Sequence, residues 1–447
     1  MTGAPAVTSA SAVALRGRLL WFVEDPSLVP QAQALRTIDD GLIVIDAGVI
    51  TQVGEAAALL PGLGPATRVI DHRPHLLCPG FIDTHLHFPQ TQVIASYGAQ
   101  LLDWLNTYVF VEEQKYGDPA FAAAAATFLL DELLGAGTTT AAVFCSVHPQ
   151  SAQAFFTESA RRNTRMLAGK VMMDANAPPD LLDTAQQGYD DSKALIARWH
   201  GRGRQGYAIS PRFAVTSSPA QLAAAGALMR EHRDCHMQTH LSENRREIET
   251  VRALFPDARD YTDVYERFGL LGPRSLFGHC IHLSEREFAA LHAARSVAVF
   301  CPTSNLFLGS GLFDLAAARR AERPLRVGVA TDIGAGTSYS MLATIAEAYK
   351  VCQLRGMPLD PFACFYMLTL GNARALDLAH CIGALEPGRE ADIVVLDASA
   401  TPAMARRMAA ARGLADELFV LALLGDERCV RQTYVMGQPM KPPAGAG

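Results

Sequence analysis

Cys78-Pro79-Gly80-Phe81-Ile82-Asp83-Thr84-His85-Leu86-His87-Phe88-Pro89-Gln90 is the stretch whose reading decides the fold. An apolar approach ends in two histidines one residue apart. Side chains alternate along a strand, so His85 and His87 leave its C-terminal tip on the same side. Two neutral imidazoles converging on one point suit a divalent metal, zinc above all. A pair of strand histidines with no metal is the other reading, and His-x-His alone does not choose between them.

Outward from this stretch, apolar strand-like runs alternate with helical ones. The strand candidates are Leu77–His85, Thr138–Val147, Arg165–Asp174, Tyr207–Thr216, His236–His240, Ser275–His279, Ser296–Pro302 and Arg326–Asp332. Helix-like stretches such as Pro119–Leu134, Ser151–Arg162, Ser218–Arg233 and Ser284–Ala294 lie between them, several opening on Ser or Pro. Eight strands, most followed by a helix, predict an α/β fold: a TIM-like (β/α)8 barrel. Both chain ends instead read as short strands with turns: Ala14–Phe22, Gly41–Ile50 and Thr67–Ile70, then Ala391–Leu396 and Val430–Met436. They predict a small composite β-sandwich built from residues 1–77 and 381–447, flanking a barrel over 78–380.

Active sites of such barrels lie at the C-terminal ends of the strands. The first predicted strand ends in His85 and His87, the fifth in His240, the sixth in His279 and the eighth in Asp332. Singly, each has an ordinary explanation. Ser242, Glu243 and Asn244 suit the start of a capped helix, His279 suits a satisfied core position, and Asp332 suits a cap on the Gly334–Gly336 turn. Five such residues from four strand ends, all in register, argue for a site. His282, three residues past His279, is the nearest decoy, and the other histidines read as structural or solvated.

Composition excludes other classes. Of 447 residues 49% are apolar and 19% charged, the profile of a folded globular chain. A net charge of −6 without a basic run makes nucleic acid and anionic membranes poor partners. The apolar run Leu418–Leu424 is too short to span a bilayer, and the opening Met1–Ala14 does not read as a signal peptide. Nine scattered cysteines form no CxxC pair, which points to buried thiols in a reducing compartment and a cytoplasmic location.

Over residues 78–332 this order of ligands resembles the amidohydrolase superfamily, and the β-rich ends resemble its accessory module. The finer likeness is to its guanine deaminase branch. It rests on Pro79–Gln90, Leu101-Leu102-Asp103-Trp104-Leu105-Asn106, Pro211-Arg212-Phe213, His240–Asn244, Gly328–Gly334 and Tyr339-Ser340-Met341-Leu342. Phe88 and Thr303 depart from that pattern only mildly. The resemblance implies one Zn2+ per subunit on His85, His87, His240 and Asp332, a ligand set that Fe2+ also fits. It implies Glu243 as proton shuttle, His279 as a partner of the metal-bound water, and Asp332 as a second proton acceptor. Gln90, Arg212 and Phe213 would bind a purine beside His240, Glu243 and Asp332, and the protein would be a homodimer. The implied reaction is attack of metal-bound hydroxide on C2 of guanine, with loss of ammonia to leave xanthine.

From the residues alone, Arg212 suits either a surface ion pair or a ligand-facing place, and Trp104 either a lid or the core. Binuclear hydrolases of the superfamily, such as dihydropyrimidinases, carry a carboxylated lysine on the fourth strand. Tyr207–Thr216 has none, and Lys170 falls on the third. Guanine deamination on an unrelated fold needs a P-C-x-x-C zinc site, which this chain lacks. A non-catalytic scaffold is disfavoured because no ligand of the pattern is missing. Cytosine, 8-oxoguanine and isoxanthopterin remain as rival substrates, because pocket shape decides among them.

Overall fold

A computed structural model of the chain describes residues 12–98 and 100–441. Most of the opening stretch considered as a signal peptide lies outside them. Eight strands make the barrel: β1 (Phe81–His87), β2 (Thr138–Phe144), β3 (Arg165–Gly169), β4 (Gly206–Pro211), β5 (His236–Leu241), β6 (Ser275–His279), β7 (Val297–Phe300) and β8 (Arg326–Val329). They pair in sequence order, every neighbour parallel. A two-residue strand, Val171–Met172, adds to β4. Each falls where the apolar runs place one. Such runs are the signature of strands covered on both faces, and β1, β2 and β5 are buried along their whole length.

Closure between β8 and β1 is made largely outside the regular ladders. The Asn372 side chain donates to the carbonyls of Ile82 (2.6 Å) and Val329 (2.8 Å) and accepts from Val329 N–H. Past the strand ends, Asp332 N–H donates to His85 O at 2.9 Å and His87 N–H to Ile333 O at 2.7 Å. The seam is therefore tied at the tips that carry His85, His87 and Asp332.

The two chain ends form one seven-stranded sheet, in the order Gln438–Pro439, Val430–Val435, Ile393–Leu396, Arg68–Pro79, Val13–Phe22, Leu35–Asp46 and Val49–Glu55. Arg68–Pro79 joins the ends, parallel to Val13–Phe22 on one side and antiparallel to Ile393–Leu396 on the other. Two expected strands are divided. Gly41–Ile50 is broken by a turn at Ala47 and Gly48, both at positive φ. Leu77–His85 is broken at Gly80, before which the chain belongs to the end sheet and after which to the barrel. A Cβ at Gly80 would lie 2.3 Å from Thr139 Oγ1, so the crossing needs a glycine. Arg204 pairs with Glu390 and Asp392, and Arg165 with Glu390, which ties the end sheet to the barrel wall.

Candidate active site

Strand alternation puts His85 and His87 into the barrel mouth, 3.3 and 3.4 Å from Asp332 Oδ1 through their Nε2 atoms. His240, at the end of β5, brings its Nε2 to 3.0 Å from His87 Nε2. Its Nδ1 lies 2.7 Å from the carbonyl of Arg212, which only accepts, so Nδ1 carries the proton and Nε2 turns its lone pair inward. Burial holds His85 below the usual imidazole pKa, and His87 and His240 well below it, so all three are neutral. Burial works to raise the Asp332 carboxyl, but the contact with His85 and the surrounding imidazoles outweigh it and hold it down at about 2. His85 Nε2 is buried without a hydrogen-bond partner. Three neutral imidazoles, one of them with its Nε2 orphaned, and an ionised carboxylate make a His/Asp metal-binding site of the composition a divalent ion requires.

The strand tips reach this geometry through backbone that side chains rarely adopt. Ser242, His279, Cys280 and Asp332 all have φ between +50° and +70°. Gly278 leaves room for the His85 ring, since a Cβ there would lie 2.8 Å from its Cε1.

Two further groups face the cluster. His279 Nε2 lies 3.4 Å from Glu243 Oε2 and 3.8 Å from Asp332 Oδ2. Burial opposes its charge, but those carboxylates raise its pKa. Glu243 directly precedes the helix Arg245–Leu254, which Asn244 and Glu247 close with a capping box. The helix start that the sequence allows is present, and Glu243 beside it also lines the pocket. Burial pushes the Glu243 carboxyl up to about 7, with His279 pulling it back, Glu247 and Asp332 adding to the rise, and Ser310 lowering it.

The cluster floors a pocket lined at its base by His87, His240, Glu243, His279 and Asp332. Gln90, Arg212 and Phe213 line one part of its wall, and Leu101, Trp104 and Leu105 another. Trp104 is buried, lies on the short helix Leu101–Trp104 rather than in a loop, and donates to Ser96 O at 3.1 Å. It packs in the core and faces the cavity at once. Of the candidate ligand, proton-handling and purine-binding residues of the sequence, all but His85 line this one space, and His85 joins them through its contact with Asp332.

Residues 76–440 match the amidohydrolase family. The chain belongs to this family. Among relatives, the guanine deaminase of Escherichia coli (strain K12) is 49% identical over 407 residues, covering 91% of this chain and 92% of that one. A probable guanine deaminase of Deinococcus radiodurans is 41% identical over 429 residues, covering 94% and 97%. The solved guanine deaminase of C. acetobutylicum with bound guanine in its active site superposes with a TM-score of 0.84 at 28% identity, covering 96% and 99%.

Several residues of this amidohydrolase site escaped sequence reasoning. Glu113, wholly buried, accepts from Arg212 and Gln90. Asn305 Oδ1 accepts from His279 Nδ1 at 2.9 Å, and Ser310 Oγ donates to Glu243 Oε1 at 2.9 Å. None belongs to a motif, and only their buried polar character in an otherwise apolar wall marks them. Cys301 also comes within reach of His279 and Asp332, but burial raises its thiol far above the usual range and keeps it protonated. The decoy His282 binds the Ser310 carbonyl at 2.9 Å through Nε2. Lys170 is spent on Asp183, 2.6 Å away.

Proposed function

We propose that this amidohydrolase converts guanine and water into xanthine and ammonia, with one zinc ion per subunit held by His85, His87, His240 and Asp332. The observation that carries the reading is the juxtaposition, around one pocket, of that cluster, of Glu243 with its pKa near 7, and of Arg212 and Gln90, both held by buried Glu113. The high identity to proteins named guanine deaminase supports the choice of base.

Bound there, the metal supplies the Lewis acidity that makes water a nucleophile at neutral pH. A C–O bond forms at C2 of the base, the exocyclic C–N bond breaks, and ammonia departs. Glu243 takes the proton released by the water, passes it to the ring and then supplies the departing amine. A carboxyl with a pKa near the working pH can do both. His279 hydrogen-bonds the attacking water, and ionised Asp332 offers a second acceptor for its proton. Arg212 meets the purine oxygen, Gln90 another edge of the base, and Phe213 its ring face. Lys170, committed to Asp183, offers no bridge to a second metal, which favours a mononuclear site.

The same reading places the protein in the cytoplasm as a homodimer. All nine cysteines are free and eight are buried, which fits a reducing compartment, and no helix among the described residues is long and apolar enough to cross a membrane. A particle of single-chain mass in light scattering would overturn the dimer.

The deciding experiment quantifies metal in the purified protein and measures ammonia release from guanine, cytosine, 8-oxoguanine and isoxanthopterin. Expected is release from guanine with about one zinc per chain. Release from another base alone would overturn the substrate, and none from any base with metal bound would overturn the reaction.

A further inference from the structure

Burial is inverted at the end of the helical segment that roofs the cavity. Val111 is 53% exposed, whereas Glu113, two residues on, has no exposed surface. A π-helical turn, Leu105–Val109, precedes them, and the residue it inserts rotates the following turn. A buried carboxylate persists only when paired and hydrogen-bonded. Glu113 accepts Arg212 Nη1 on Oε1 and Oε2, at 2.9 and 2.8 Å, and Gln90 Nε2 on Oε1, at 3.0 Å. The Phe110 ring, three residues earlier, lies 5.5 Å from the same guanidinium. Gln90 Oε1 in turn accepts Gly334 N–H at 3.2 Å. Both ends of the Gln90 amide and one nitrogen of Arg212 are thereby fixed before any ligand arrives.

We propose that Glu113 is a positioning residue for base selectivity: it locks the guanidinium of Arg212 and the amide orientation of Gln90 so that together they read the oxygen-bearing edge of the purine. This rests on the purine reading above. Without Glu113 the guanidinium loses its one ion-pair partner among the described residues. The Gln90 amide then keeps only the bond from Gly334 N–H, and its orientation at the cavity wall is held less firmly. A site whose polar groups are fixed rejects a base lacking the matching oxygen more strongly than one whose groups can turn away.

The test compares guanine with 2-aminopurine, which keeps the amino group at C2 and lacks the carbonyl oxygen at C6. Affinities are measured by calorimetry on zinc-loaded protein carrying Glu243→Gln to suppress turnover, with Glu113 intact or changed to Ala or Asp. Expected is a loss of guanine affinity of about 10- to 100-fold in Glu113→Ala, with 2-aminopurine changed less than about threefold. Glu113→Asp should fall between, and in the active background the loss should appear in KM more than in kcat. An equal loss for both bases in Ala and Asp variants, or an unchanged preference for guanine, would overturn the proposal. Guanine binding that depends on Glu113 in a protein releasing no ammonia would refute the reaction and uphold the brace.

Discussion

The floor of the cavity and its wall are built by different means. On the floor, His85, His87 and Asp332 sit on strand tips tied to one another through the backbone, Asp332 N–H to His85 O and His87 N–H to Ile333 O. On the wall, polar side chains are aimed by other side chains. Glu113 holds Arg212 and Gln90, while Asn305 and Ser310, five residues apart, hold His279 and Glu243. The floor is fixed by the barrel, so its donor atoms converge wherever the barrel closes. The wall depends on a few side-chain hydrogen bonds between distant segments, so it can be retuned one residue at a time without disturbing the fold. In the proposed chemistry the floor supplies the metal, and the wall decides where protons go and which base enters.

Breaking the floor should have the largest effect. His85→Ala removes an imidazole nitrogen that is buried without a hydrogen-bond partner, 3.3 Å from Asp332. Metal content, measured by atomic emission, should fall well below one per chain, and ammonia release should drop to background. Full metal occupancy in this variant would remove His85 from the ligand set.

Glu243→Gln probes the border between the two regions. The amide keeps the volume and can still accept from Ser310, but it cannot carry a proton through the cycle. Turnover should fall by about 10²- to 10⁴-fold with metal retained. The pH profile sharpens the point. Burial raises the Glu243 carboxyl to about 7, so the proton-accepting carboxylate dominates only above that pH. The wild-type kcat/KM should rise as pH climbs through about 7 and then level off, and the Gln variant should lose that limb. A near-wild-type rate in Glu243→Gln would dismiss it as the shuttle.

Floor and wall also differ in how legible they were in the sequence. The eight barrel strands and the register of His85, His87, His240, His279 and Asp332 follow from local rules, alternation along a strand and chemistry at its C-terminal end. Pro211 illustrates how local signals also set limits: strand β4 stops there, so the expected run to Thr216 continues as loop and carries Arg212 and Phe213 into the cavity. Arg212 does make the ion pair that its sequence allowed, but inside the molecule rather than on its surface. Its partner Glu113 lies 99 positions away, beyond any spacing rule, and the exposed Val111 beside it points a hydrophobic pattern the wrong way. Asn305 and Ser310 are equally silent. Each gains meaning only when a long-range contact puts it against a proton-handling group.

Ser310→Ala should give the smallest of these effects and the sharpest distinction. The serine hydroxyl donates to Glu243 Oε1, while its own backbone carbonyl is held by His282 and its N–H by Asn305 O. Removing the hydroxyl therefore leaves the segment anchored and takes one hydrogen bond from the carboxylate, worth about 1.5 kcal/mol, so kcat should fall about tenfold. That bond favours the ionised form of Glu243; without it the pKa rises, and the acidic limb of the kcat/KM profile should move to higher pH. Metal content should stay at the wild-type level, since no floor residue loses a contact. A limb that stays in place while metal is lost would mean that Ser310 supports the floor, and the division between a backbone-built floor and a side-chain-built wall would fail at the residue where it is easiest to see.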